Sequence, residues 1–117
     1  MNIETLTKRL NISFSQSDDF KCRPLRVGDK NCLFAYLDGN IDKVLFEQDV
    51  VRPLKNAERL SSPYLETLQN TVAYSDEIKV VPIENAPGEI ALCDIAFFIE
   101  EDDNAYIFSL RQPSTRA

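Results

Sequence analysis

An α/β fold, a small mixed β-sheet with helices packed on its faces, is what the residue pattern predicts, and three observations carry the prediction. Apolar residues recur at three- and four-residue spacing in some stretches and at every second position in others, and the two kinds of stretch alternate along the chain. One stretch, Cys32 to Leu37 (CLFAYL), is apolar on both faces, which suits a strand covered from two sides. At 117 residues, the chain is expected to be a single domain, 1–117, large enough for one core and too small for two.

The elements follow in order. Ile3, Leu6 and Leu10 share one helical face, so a helix is expected over roughly Ile3 to Leu10, broken by the polar SQSDDF. Phe20 to Val27 (FKCRPLRV) alternates apolar and charged residues. Its internal Pro24 cannot donate to a ladder, which argues for an edge strand or a bulge. The turn GDKN then joins it to Cys32–Leu37 as a hairpin. From Ile41, apolar residues at Ile41, Val44, Leu45 and Val51 predict an amphipathic helix with those residues as its core face, ending near Arg52 because Pro53 disfavours helical geometry before it. Phe46 and Val50 add a second apolar arc, so the helix is expected to be sandwiched inside the domain or, failing that, to offer part of itself to a partner. Pro63 suits the first turn of a helix through Leu65, Leu68 and Val72. Glu77 to Ile83 reads as a strand, Asn85 to Leu92 as a short helix, and Ile95–Ile99 with Ala105–Leu110 as two strands about the acidic turn EEDDN.

Composition narrows function. With 19 acidic and 13 basic residues the net charge is −6, which repels nucleic-acid phosphates and anionic lipid, so nucleic acid is not an expected partner. The absence of histidine removes the commonest general base and the commonest zinc ligand together, and the chain is not expected to be an enzyme. Cys22, Cys32 and Cys93 are an odd set without C-x-x-C spacing and read as reduced, buried structural thiols. No apolar run approaches the roughly 20 residues of a membrane span, and no signal-peptide centre is present, so the chain alone is expected to be soluble and cytosolic.

The stretch Tyr36 to Lys43 (YLDGNIDK) holds the densest candidate chemistry. Asp38, Asn40 and Asp42 match the first ligand positions of a calcium-binding EF-hand loop, but Lys43 stands where glycine is required and Asp49 where a bidentate Glu belongs. As an acid–base pair, Asp38 and Asp42 have no nucleophile nearby in sequence. The structural reading is that Gly39 supplies a positive φ while Asp38 or Asn40 caps the helix starting at Ile41, so that Gly39→Ala would destabilise the domain. No metal or cofactor is called for. Gly28, Gly39 and Gly88 stand alone, so no phosphate loop exists, and EEDDN reads as a solvated hairpin tip. Arg23, Arg26 and Lys30 form a basic patch able to dock an acidic partner. A small-molecule site is the alternative, in a crevice at strand ends where Arg23 and Asp38 would select a polar ligand, which leaves Arg23, Asp38, Asn40 and Asp42 as the candidate ligand or partner contacts. The hairpin Ile95–Phe108 is apolar on both faces, and an uncovered side would drive self-association.

The segment YLDGNIDKVLFEQDVVRPL (Tyr36 to Leu54), preceded by SDDF and Arg23, resembles the N-terminal soluble domain of the A subunit of spore germinant receptors, the GerA family. Tyr36, Asp38, Gly39, Asp42, Lys43, Pro53 and Leu54 carry the match. Toward the C-terminus Cys93 stands in for a glycine of the family's Leu-x-Gly step, EEDDN replaces a second glycine turn, and Asn40 replaces an apolar residue, as in a divergent member. The resemblance implies a piece of a solute-binding-protein-like fold, covering the first of two soluble subdomains. It also implies a non-enzymatic role in nutrient-triggered germination with B and C subunits and the remainder of an A subunit, on the cytoplasmic side of the inner spore membrane.

Overall fold

The computed structural model describes residues 2–74 and 77–110. Helix α1 (Ile3–Ser13) precedes the hairpin β1 (Phe20–Val27) and β2 (Lys30–Leu37). A continuous helical stretch follows, made of α2 (Lys43–Leu45), a π-helical segment (Phe46–Val51) and α3 (Arg52–Lys55). Then come α4 (Tyr64–Thr71), β3 (Lys79–Pro82), α5 (Ala86–Ala91), β4 (Ile95–Ile99) and β5 (Asn104–Phe108).

The fold class is the expected one, a sheet with helices on both faces, but its strand directions are not mixed. The order is β1-β2-β4-β5-β3 and every ladder is antiparallel. The physical reason lies in the unit β3-α5-β4. Its two strands run the same way, as a helical connection favours, but β5 is inserted between them, so the parallel pair is split and each strand finds an antiparallel neighbour.

Alternation distributes the core. Cys32, Phe34 and Tyr36 of β2, with Phe97 and Phe108, pack against the α2–α3 stretch and Leu68 of α4. Leu33, Ala35, Phe98 and Ile107 pack on the opposite side against Leu6 and Leu10 of α1 and Ile90 of α5. The β4–β5 hairpin is therefore covered twice. Ile95, Phe97, Phe98, Ile99, Tyr106, Ile107 and Phe108 are all buried, which corrects the expectation that this hairpin leaves an apolar face open. The cysteines are also corrected in part: Cys32 is buried, whereas Cys22 and Cys93 are half-buried.

Both outer strands carry a proline, and its placement is informative. The Asp38 amide donates to the Asp19 carbonyl at 2.8 Å, one step beyond the Phe20–Leu37 pair. Bonded and unbonded pairs alternate along an antiparallel ladder, so Pro24, opposite Leu33, falls on an unbonded pair and its nitrogen faces the open edge. Pro24 thus marks an edge strand, as expected, without costing the ladder a donor. At the other edge the Ile83 amide donates to Asp103 at 3.1 Å, and by the same count Pro82 also faces outward.

The helical stretch departs most from expectation. It runs through Pro53 to Lys55, and its buried residues are Phe46, Val50, Val51 and Leu54, with Ile41 before it, while Val44 and Leu45 are exposed. Pro53 has no amide for the carbonyl of Asp49 four residues earlier. The π-turn widens the helix there, and the Asp49 carbonyl that Pro53 cannot serve accepts the amide of Ala73 at 2.8 Å. The wider turn also shifts the phase, which moves the core face from Val44 and Leu45 to Phe46 and Val50.

Cys93 has a φ of 73°, the left-handed region that costs a side-chain-bearing residue about 1–2 kcal/mol. Cys93→Gly is accordingly expected to raise stability by about 1 kcal/mol, read as a higher urea midpoint at unchanged slope. A lower midpoint would show that the cysteine's packing outweighs its backbone strain.

Candidate functional site

Tyr36–Lys43 forms a strand-to-helix corner. Asp38–Asn40 make one turn of 3-10 helix at the end of β2, Ile41 is buried in extended geometry, and Asp42 opens α2. The cap is Asp42, not Asp38 or Asn40: its Oδ1 accepts the Leu45 amide at 3.1 Å. The helix starts after Asp42 because Ile41 is pulled into the core and the Asp42 amide is held by the Leu110 carbonyl at 2.7 Å. Gly39 does not have a positive φ, so the turn does not demand glycine for that reason.

The carboxylates of this corner are engaged locally. Asp38 Oδ2 pairs with Lys43 Nζ at 2.9 Å, so the cation held by this turn is its own lysine. Asp42 is occupied at the helix N-terminus, and Asn40 is exposed. Among the described residues no group of three or more Cys, Asp or Glu side chains is gathered as a metal site would require. Asp42→Ala is expected to cost about 1 kcal/mol through loss of the cap, measured by chemical denaturation. A loss of binding without loss of stability would instead make Asp42 a contact residue.

Arg23 crosses from β1 to the π-helical segment, donating from Nη1 to Glu47 Oε1 at 2.8 Å and from Nη2 to Oε2 at 3.4 Å. This forked bond lowers the Glu47 pKa from its ordinary value and raises that of Arg23. With side chains 35% and 42% exposed, the pair is screened, and its main effect is to fix where the helix sits on the sheet. Tyr36 lies nearby, its hydroxyl pKa raised chiefly by burial and modified by Arg23 and Asp38. Arg23 and Asp38 thus flank one tyrosine, and each has a partner on the adjoining helical stretch. Cys22 and Cys32 are weak nucleophiles, because burial pushes Cys22 up to about 11 and Cys32 up to about 12.

A second feature lies at the opposite end of the sheet and escaped the sequence reading. An open groove of about 1040 Å³ runs between the start of α1 and the β1–β2 hairpin, lined among others by Lys8, Arg26, Asn31 and Glu100. Arg26 donates to Asn31 Oδ1 at 3.0 Å, and Glu100 accepts the Asn31 amide at 2.9 Å. In the sequence Arg26 reads as part of a basic patch and Glu100 as part of the acidic turn, but Glu100 lies 69 positions from Asn31, and nothing local brings them together.

A family model described as Bacillus/Clostridium GerA spore germination protein matches residues 8–117. Among solved structures, the chain is similar to the N-terminal domain of the A subunit of the Bacillus megaterium spore germinant receptor GerK3. The identity is 16%, the TM-score 0.62, and the match covers 91% of this chain and 90% of that one. At that identity the likeness shows the fold. No curated protein matches the chain.

Proposed function

The chain belongs to the GerA family of spore germination proteins, and on that premise we propose that it is a non-enzymatic interaction domain that relays a nutrient signal during germination. A part in spore germination follows from the family itself. The observation that supports relay rather than chemistry is how its most reactive groups are used: Arg23, Asp38 and Asp42 are engaged within the fold, and burial raises the pKa of two of the three thiols. In this reading the domain is the first soluble subdomain of an A subunit. It works with B and C subunits and the remainder of the A subunit on the cytoplasmic side of the inner spore membrane, and the corner at Arg23, Asp38, Asn40 and Asp42 is where a neighbouring part of the complex makes contact. Among the described residues no helix is long and apolar enough to cross a membrane. The experiment is deletion of the coding segment from a spore-forming host that carries it, followed by nutrient-triggered germination. Loss of the response to a nutrient, with normal germination by a route that bypasses receptors, is expected. An unchanged response to every nutrient tested would overturn the reading.

The groove by α1 favours a second reading, a small-molecule sensor, because it offers cationic and anionic side chains together in a concave surface. Thermal shift against amino acids, sugars and nucleosides separates the two. A ligand at about 100 times its dissociation constant stabilises a folded chain by about 2.7 kcal/mol, and no shift with any of them favours relay.

A further inference from the structure

The five large apolar side chains that stand exposed among the described residues include two consecutive ones, Val44 at 70% and Leu45 at 41%, on the outer side of the α2–α3 stretch. They are exposed because of how the stretch is built. Asp42 sets its start, the π-turn turns Phe46 and Val50 into the core, and Val44 and Leu45 are left facing solvent. The same side continues with exposed Gln48, Arg52 and Lys55. Lys43, Val44, Glu47, Gln48 and Arg52 line a shallow groove of about 450 Å³ along it.

The charge of this stripe is opposite to that of the chain. Lys43 is paired with Asp38 and Glu47 with Arg23, which leaves Arg52 and Lys55 as the basic residues of the stripe, in a protein of net charge −6. We propose that this stripe, with Val44 and Leu45 as apolar anchors and Arg52 and Lys55 as charged flank, docks an acidic amphipathic helix of a protein partner. The apolar pair matches the buried seam of such a helix, and the basic residues match its acidic flank. A second copy of this chain docked stripe to stripe would set Arg52 and Lys55 against their own kind, which disfavours that occupant. An anionic membrane is a poorer match as well, because two apolar side chains are too few for an interfacial helix and the rest of the chain is repelled. The stripe is also held in place before binding. The Asp42 cap, the Arg23–Glu47 fork and the Asp49–Ala73 hydrogen bond tie the helix at three points, so little order remains to be gained on docking.

This proposal rests on the reading of the domain as an interaction module and adds a second contact surface beside the corner, with the chemistry of its partner. The test uses the full chain, isotope-labelled, titrated with a synthetic amphipathic helix of about 18 residues bearing leucines at helical spacing and glutamates elsewhere. Amide shifts confined to 43–55 are expected, with affinity lowered at least about tenfold by Val44→Asp and by Arg52→Glu, and lowered again by about 0.5 M salt. Both substitutions are on exposed positions and should leave the melting midpoint unchanged. A lysine-for-glutamate version of the peptide should not bind. Absence of shifts at about 1 mM peptide, shifts centred elsewhere, equal binding of the lysine peptide, or binding to phosphatidylglycerol vesicles in preference to the peptide would each overturn the proposal. Its failure is distinguishable from that of the germination role. A chain indifferent to the peptide can still be required for the nutrient response, and a chain that binds it can be dispensable.

Discussion

Phe34→Ala is expected to lower stability by about 3–5 kcal/mol, a large share of the roughly 5–15 kcal/mol that holds a domain together. Phe34 is fully buried in β2, the strand between β1 and β4. Its ring meets Phe46 of the π-helical segment edge-on at 4.9 Å and Phe97 of β4 at 4.7 Å, so it joins the sheet to the helix as well as strand to strand. Truncation leaves a void that neither neighbour can fill, because Phe46 is held by the helix and Phe97 by two ladders. Urea denaturation followed by far-UV circular dichroism would show a lower midpoint, or a chain already unfolded without denaturant. Phe14→Ala provides the contrast, since Phe14 stacks on Phe20 at 4.5 Å at the half-buried end of α1 and should cost much less. Equal losses at the two sites would mean that the core does not centre on Phe34.

Gly28→Ala is expected to cost about 2 kcal/mol or more, and Gly39→Ala less than about 0.5 kcal/mol. Gly28 closes the β1–β2 hairpin with a φ of 62°, and a Cβ there would meet the Glu58 carbonyl oxygen at 2.7 Å and the Arg59 Cα at 3.1 Å. Both are backbone atoms of the loop that passes over the hairpin, so the loop itself must move. At Gly39 the added carbon would meet only the Asp19 Oδ2 at 3.2 Å, the far end of a side chain that can turn away. Parallel thermal melts of the two variants decide it. A larger loss at Gly39 would restore to the Tyr36–Lys43 corner the backbone constraint that its sequence suggested.

That reversal shows where legibility ends. Strands β1, β2 and β4 and helix α1 were readable because each declares itself locally, by alternation, by an unbroken apolar run or by apolar residues one helical turn apart. Gly28 looked like an ordinary turn residue because its constraint comes from Glu58 and Arg59, thirty positions away. Val44 and Leu45 were assigned to the core by counting helical spacing from Ile41. The count failed because the helix starts at Lys43 and widens into a π-turn, and no periodicity of 3.6 anticipates the second event. Asp38, Asn40 and Asp42 were legible as a corner, but which of them caps the helix depended on Leu110 holding the Asp42 amide. The insertion of β5 between β3 and β4 was invisible for the same reason, since pairing partners are chosen across the sheet and not along the chain. The resemblance to the GerA family, by contrast, rested on a contiguous stretch and held.

The outward-facing prolines at 24 and 82 have a consequence for how partner choice can change over evolutionary time. An open strand rim pairs through backbone groups that every extended peptide possesses, and it discriminates poorly between them. With a donor missing on each rim, recognition shifts to side chains on the helices and corners, where one exchange alters who binds and leaves the sheet untouched. Paralogous chains built this way can acquire different partners by substitution at surface positions alone.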